Sequence, residues 1–419
     1  MIISRVKTII SILQICFLPV LSSTSVADGI KLDLEKAIKL ASEQNLELKA
    51  KREELGIAQG RLIRSNLFLQ HNPELEGDIA NRRLLNPEPG FNKNLPVGGV
   101  SLSQEFELGG QPGHRLAAAR RNMEKVKFEI SNLERKVRFR VTEVFLGLLS
   151  IQKKIQQAKQ IVDLRTRLFE ASRTRLSLGD IPEGQLIIAE FELKRARSDL
   201  ITLQREYEAM LLRLKANLVL ERNVKIDLTG KLARTPFPVS LGKLLDTALA
   251  KRPDLAALDE AKKIAEAEKQ LTEAERIPNV RFGVFYEKDE KDNIVGGRLS
   301  IPIPVFDRRR AELRQALARK SIANINYLNL RQMIEKEVET TFKQFKLNEN
   351  DLSLYPEGTM KRFDENLELN QKAYQEGQIA LSEAILFQNQ VIEARLKFID
   401  ALTNYNLSLA ELKFRAGIE

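Results

Sequence analysis

The stretch MEKVKFEISNLERKVRFRVTEVFLGLLSIQKKIQQAKQIV, residues 123–162, decides the fold. Its apolar or small positions are Met123, Val126, Ile130, Leu133, Val137, Val141, Val144, Leu148, Ile151, Ile155, Ala158 and Val162, in almost strictly alternating steps of three and four. That spacing is the seam of a coiled coil. Only Gly147 interrupts the run from His114 to Leu178, so the pattern predicts one helix of about 65 residues, about 95 Å long at a rise of 1.5 Å per residue. A globular domain has no room for such a rod, which therefore needs neighbours of similar length. The break Leu178-Gly179-Asp180-Ile181-Pro182 places Gly where a helix ends and Pro where the next begins. Gly113 to Leu220 thus reads as a helical hairpin bent at Gly179, with Pro182 to Leu220 as its return arm.

The amino terminus reads as a secretory signal over residues 1–27. Arg5 and Lys7 precede an apolar run from Ile9 to Leu21, and Ser25-Val26-Ala27 suits cleavage before Asp28. Cys16, the single cysteine, follows Gln14-Ile15 instead of the small residues that acylation requires, and it departs with the signal. Neither disulfides nor thiolate metal sites are then expected in the mature chain. No second apolar run reaches the ~20 residues of a membrane-crossing helix. Losing Arg5 and Lys7, from a signal without acidic residues, takes the net charge from +10 to about +8. The block Arg308-Arg309-Arg310 is read as solvated or lipid-facing and not as a nucleic-acid site, because the chain is exported and aromatic interleaving is absent. Aromatics are scarce, at 6% with no Trp, and Leu, Ala, Lys, Glu, Arg and Gln abound, as in helical bundles.

Enzymatic chemistry finds no support. His71 and His114 are the only histidines, and there is no His-Glu-x-x-His motif, cysteine cluster or phosphate loop ending in Gly-Lys-Ser/Thr. Gly98-Gly99 and Gly109-Gly110 read as strand and turn glycines, and no carboxylate pair stands out as acid and base. No catalytic residue, resident metal or cofactor is predicted.

The chain repeats itself once. Leu34 to Leu48 aligns with Leu241 to Leu255, each opening a helix that runs to about Phe68 and about Arg276. Asn72-Pro73-Glu74-Leu75 answers Pro278-Asn279-Val280-Arg281, and Val97-Gly98-Gly99-Val100 answers Val295-Gly296-Gly297-Arg298. A basic turn and a long helix follow in both halves, and Tyr374 to Ile379 answers Arg175 to Ile181. A period of about 200 residues marks duplication of a whole half rather than a solenoid of short repeats. The predicted organisation is a signal (1–27), a first repeat (28–223), a link (224–239) with strand-like Val224 to Leu228, and a second repeat (240–419).

Four segments alternate apolar and polar residues: Glu74–Asn81, Val97–Leu108, Val280–Lys288 and Asn293–Val305. About ten residues with one apolar and one polar face is the signature of a transmembrane barrel strand, although a half-buried sheet alternates in the same way. A bilayer-spanning sheet must close so that no backbone edge faces lipid, and single-chain barrels begin at about eight strands. Four strands cannot close alone. If they span a membrane, several copies must pool them in a ring, and the same ring supplies neighbours for the long helices.

The order of elements, the Gln104-Glu-Phe-Glu-Leu-Gly-Gly110 run after the second strand, the Leu299-Ser-Ile-Pro-Ile-Pro-Val-Phe-Asp-Arg-Arg-Arg310 run after the fourth, and the paired Gly179 and Gly377 turns resemble the TolC family of outer-membrane efflux proteins. The likeness covers the whole mature chain and is greatest to the heavy-metal cation efflux branch, such as the cobalt-zinc-cadmium system. It implies a mainly α fold with a small β part: a homotrimer with a twelve-stranded outer-membrane barrel above a long coiled-coil α-barrel. It also implies a periplasmic adaptor and an inner-membrane pump as partners, and outer-membrane lipid around the barrel. Arg82–Pro96 and Asp289–Asp292 become extracellular loops and the glycine turns the periplasmic tips. Leu178, Gly179, Asp180, Ile181, Gly377, Gln378 and Ile379 would form the adaptor-docking surface. The family closes its aperture with acidic and tyrosine residues near the tip, which here implies Glu383, six residues after Gly377, and Tyr374. The first half has Gln185 at the equivalent position, leaving Asp180 and Glu183 as the nearest acids. Ala311 stands where the family has Gly. On the polar strand faces Glu74, Glu76, Asp78, Glu105, Glu107 and Glu287 outnumber Arg281 and Arg298, which suggests a cation-favouring lumen. The alternatives left open are an exit duct for type I protein secretion and a periplasmic coiled-coil scaffold without a channel.

Overall fold

The computed structural model describes residues 30–83, 94–289, 292–356 and 358–418, with Asn94 and Leu95 in backbone alone. The signal segment with Cys16, residues 84–93 of the first expected loop and residues 290–291 of the second lie outside the described residues. The chain runs β1 (Ile30–Leu32), α1 (Leu34–Gln44), α2 (Leu46–Ser65), β2 (Glu74–Arg83), β3 (Asn94–Phe106), α3 (Gln111–Ser177), α4 (Glu183–Asn217), β4 (Ile226–Leu228), α5 (Leu241–Lys251), α6 (Pro253–Ala274), β5 (Val280–Asp289), β6 (Asp292–Ser300), α7 (Arg310–Ser353), α8 (Thr359–Gln375) and α9 (Leu381–Arg415).

The rod expected from the seam is α3, with 67 residues and a length of about 100 Å at 1.5 Å per residue. Every seam position from Met123 to Val162 is buried or half-buried. Its middle carries the main core, where Val137, Val141, Val144, Phe145 and Leu148 pack with Ala37 and Ala41 of α1, Leu244 and Ala248 of α5, Ile334 and Phe345 of α7, and Tyr405 and Leu409 of α9. The return arm α4 lies along α3. A Cβ on Gly147 would stand 2.8 Å from Met210 Sδ on α4, so this glycine makes room for a Met210 side chain packed against the α3 backbone and is not a flaw in the helix.

Four expected elements differ in the structure. The helix opening each half is broken, at Asn45 and at Arg252. Asn45 leaves helical conformation and its side chain accepts a hydrogen bond from Leu48 N–H at 2.9 Å. Arg252 precedes Pro253, whose ring forces the residue before it into extended conformation. The long helix of the second half stops at Ser353 and resumes at Thr359, because Pro356 cannot donate to the helical ladder and Gly358 adopts φ +84°. The strand read as Asn293–Val305 ends at Ser300, since Pro302 and Pro304 lack the N–H groups a ladder needs. β1 pairs in parallel with β4, Leu32 opposite Leu228. At three residues β1 is too short to show alternation in the sequence.

The remaining strands form one antiparallel sheet in the order β2-β3-β5-β6. The two halves meet at the β3–β5 ladder, with Glu105 opposite Arg281 and Val97 opposite Asp289. Directly opposed residues share a face. The registers therefore put Leu75, Ile79, Val100, Leu102, Phe282, Val284, Tyr286, Val295 and Leu299 on one side, and Glu74, Glu76, Asp78, Ser101, Ser103, Arg281, Glu287 and Arg298 on the other. β2 and β6 each keep one unpaired edge. Among the described residues no helix is long and apolar enough to cross a membrane.

Replacing Gly147 by Leu drives a side chain into Met210 and separates α3 from α4, with an expected loss of about 1–3 kcal/mol, the usual cost of overpacking. A lowered thermal midpoint by far-UV circular dichroism checks this, and an unchanged midpoint contradicts the close contact.

Candidate channel wall and helical tips

The apolar face of the sheet is bare, with Ile79 94%, Val295 77% and Leu75 74% exposed. So large a contiguous apolar patch marks a surface that meets lipid or another protein. On the polar face the charges are graded along the strands. At the foot, Arg281 reaches Glu74 at 2.8 Å and Glu105 at 3.2 Å, Asn279 donates to Glu105 at 2.6 Å, and Arg115 holds Glu107 through two bonds of 2.6 and 3.1 Å. Three of the acids expected in the lumen are thus engaged by two arginines within the protomer. Further along the sheet Glu76, Asp78 and Glu287 have no ion-pair partner among the described residues. Asp78 and Glu287 flank Gly99 on the same rung.

The two tips are the same turn built twice. Gly179 and Gly377 adopt φ of +79° and +74°, which a side chain resists. Gly179 N–H donates to Leu176 O at 3.0 Å and Asp180 N–H to Arg175 O at 2.9 Å. Gly377 N–H donates to Tyr374 O at 3.1 Å and Gln378 N–H to Ala373 O at 2.9 Å. This crossed pair of bonds satisfies the last carbonyls of each helix. Leu178, Gly179, Asp180, Gly377 and Gln378 are exposed, whereas Ile181 is buried and Ile379 half-buried. Ile379 packs on a small core of Leu168, Ala189, Tyr374, Leu381 and Ala384, so that core secures the second turn.

Asp180, Glu183 and Glu383 are exposed at this end, with no ion-pair partner among the described residues. Tyr374, expected beside the aperture, turns its side chain into the protomer. It is fully buried, its hydroxyl is 2.8 Å from Ser172 Oγ, and the Arg175 guanidinium stands 5.2 Å over its ring. Sharing the α8 face of Leu367 and Gln371, it joins the first hairpin to the second inside the protomer.

Two polar clusters escaped the sequence reading. Behind the tips Arg165, 2% exposed, donates to Gln388 Oε1 at 2.7 Å and Asn389 Oδ1 at 2.6 Å, and Glu192 lies 3.6 Å away. Burial lowers its guanidinium below the ordinary value, against the pull of Glu192. The signal was present: Arg165 sits three residues after Val162, in a core position of the seam, where a polar residue sets register at a cost in stability. Near the α5–α6 break Arg252 grips Asp254 through bonds of 3.1 and 2.6 Å and Glu337 at 2.9 Å. Arg415 also reaches Glu337, and Arg135 lies 3.7 Å from Asp254 with its guanidinium 4.5 Å over Phe414. Burial works to raise the Asp254 carboxyl, but the hydrogen bonds and charge of Arg252, with Arg135 behind, hold it below the usual carboxylate value.

An open sheet with a bare apolar face, standing on rods with twin glycine tips, defines a channel protomer of the outer membrane. Residues 244–417 match the outer membrane efflux protein family. The chain is similar to the cobalt-zinc-cadmium resistance protein CzcC of Cupriavidus metallidurans, at 22% identity over 382 residues, covering 88% of this chain and 86% of that protein. The fold is shared with VceC of Vibrio cholerae (TM-score 0.76, 15% identity, 92% and 96% of the two chains). CusC (TM-score 0.75, 16% identity, 93% of both) and the open MtrE channel of Neisseria gonorrhoeae (TM-score 0.74, 17% identity, 92% and 89%) share it too.

Asp254→Asn leaves Arg252 and Arg135 buried without their shared counter-charge, and a loss of about 3–5 kcal/mol is expected, as when one partner of a buried pair is removed. Because the folded carboxyl is depressed, the stabilisation is complete above the unfolded value of about 3.9 and disappears as pH falls through the lower folded value. Denaturant melts of wild type and variant that converge at acid pH support this, and a constant gap contradicts it.

Proposed function

We propose that three copies of this chain close into one channel that serves as the passive exit duct of a tripartite efflux system, carrying metal cations from an inner-membrane pump through a periplasmic adaptor. The open sheet carries this reading. Its two free edges must be covered if its apolar face meets lipid, and three sets of four strands give the twelve that a barrel can use. The helices point the same way. Exposed Ile187, Ile188, Phe191 and Ile201 run along α4, and exposed Ile322, Ile325, Leu328 and Leu347 along α7. Apolar stripes of this kind on long helices call for helical neighbours, which adjacent copies supply.

Within this channel the sheet's polar face lines the lumen, and Glu76, Asp78 and Glu287, threefold repeated, favour cations by focusing field in a narrow low-dielectric passage. The name of the similar CzcC supports metal cations as cargo. The chain conducts and does not catalyse. Leu178, Gly179, Asp180, Gly377 and Gln378 form the rim that meets the adaptor, with buried Ile181 and half-buried Ile379 holding the two turns in place beneath it. Asp180, Glu183 and Glu383 are the aperture acids, while Tyr374 holds the two hairpins of each protomer together behind them.

Extraction tests the assembly. The protein is expected to need detergent and to run as a large oligomer, and release as a monomer by alkaline wash would favour a peripheral scaffold. In planar bilayers, Glu76→Gln with Asp78→Asn is expected to reduce cation over anion selectivity several-fold, by loss of local field. Unchanged reversal potentials would remove the lumenal acids from the mechanism.

A further inference from the structure

At the foot of the sheet α2, α3 and α6 enclose a cleft of about 540 Å³, within the ordinary size range of ligand sites. Arg61 and Arg64 of α2, Arg115 of α3 and Glu268 of α6 line it together with the apolar Ile264 and Leu271. Arg115 is already committed to Glu107. Arg61, Arg64 and Glu268 have no side-chain partner among the described residues. Two unused guanidiniums and one unused carboxylate therefore share one cavity, a pattern that suits a zwitterion rather than a simple anion.

The level of the cleft identifies the class of zwitterion. His71, on its border, lies three residues before β2, and Arg115 lies in the first turns of the helix that follows β3. The cleft thus sits where the lipid-facing sheet gives way to water-facing helices. Phe68, 92% exposed, and Phe306, fully exposed, flank the sheet just before β2 and just after β6, as the aromatic girdle of a barrel flanks its apolar band. We infer that this cleft binds the headgroup of a phospholipid from the periplasmic leaflet, one with a phosphodiester and a free ammonium such as phosphatidylethanolamine. The phosphodiester takes Arg61 and Arg64, whose planar forks match phosphate oxygens. The ammonium takes Glu268, and the glycerol end lies over Ile264 and Leu271. Such a lipid would tie each protomer to the leaflet at the joint between barrel and tunnel. The inference rests on the outer-membrane reading of the chain.

Native mass spectrometry of the assembled, delipidated protein tests it, with short-chain phosphatidylethanolamine, short-chain phosphatidylglycerol and inorganic phosphate as probes. Saturable binding of phosphatidylethanolamine is expected. Arg61→Gln with Arg64→Gln should weaken it about tenfold, the loss of one charge-assisted hydrogen bond or more. Glu268→Gln should lower affinity for phosphatidylethanolamine while sparing phosphatidylglycerol, which has no ammonium. Equal binding by wild type and the double variant, or no lipid binding at all, overturns the inference, and so does displacement of lipid by inorganic phosphate, which would make this a free-anion site. Unchanged circular dichroism and oligomer size in the variants separate site loss from misfolding. Fractionation separates the two readings: a protein absent from the outer membrane fails the channel, whereas one present there without bound lipid fails only this site.

Discussion

A β-sheet that meets lipid cannot leave a strand edge bare, because an unpaired N–H or C=O costs several kcal/mol in hydrocarbon. β2 and β6 present such edges on a sheet whose outer face is apolar, and the rest of the protomer conforms to that incompleteness. The sheet is only as wide as the two repeats make it, with β3 and β5 as the seam between halves. Helices descend from both halves in the same order, so whatever completes the sheet also sets the neighbours of the rods. Apolar stripes left exposed on α4 and α7 are the helical counterpart of the open strand edges.

The long helix α3 links these regions. One continuous element contacts α1, α2, α4, α6 and α9 and carries the foot of the sheet, the central core and the tip on a single axis. Its seam is apolar where rigidity is needed, around Val137 to Leu148, and polar at Arg165 and Ser172 behind the tip. Polar groups in a helical core specify register more than they stabilise. The tip end adds hydrogen bonds that demand particular geometry to its small apolar core, whereas the central core rests mainly on burial.

Much of this architecture was legible beforehand. The rod followed from steps of three and four, the hairpins from Gly179 and Gly377, and both faces of the sheet from alternation. What could not be read were features made by partners distant in sequence. Tyr374 resembled an aperture residue because its position relative to Gly377 is local information, but its burial depends on Ser172 and Arg175, some 200 residues away on another helix. Glu74, Glu105 and Glu107 looked like free lumenal acids until the register set Arg281 opposite Glu105 and Arg115 beside Glu107.

The sequence by itself determined the periods, the turns and the duplication, since these arise from neighbouring residues and obey the geometry of a single helix or strand. Only the tertiary structure decided which charges are spent and which remain free, where the second rod breaks in relation to the first, and which side chains share a cavity. Ion pairing and burial depend on distances between elements, and those distances appear only when α2, α3 and α6, or β3 and β5, are laid side by side.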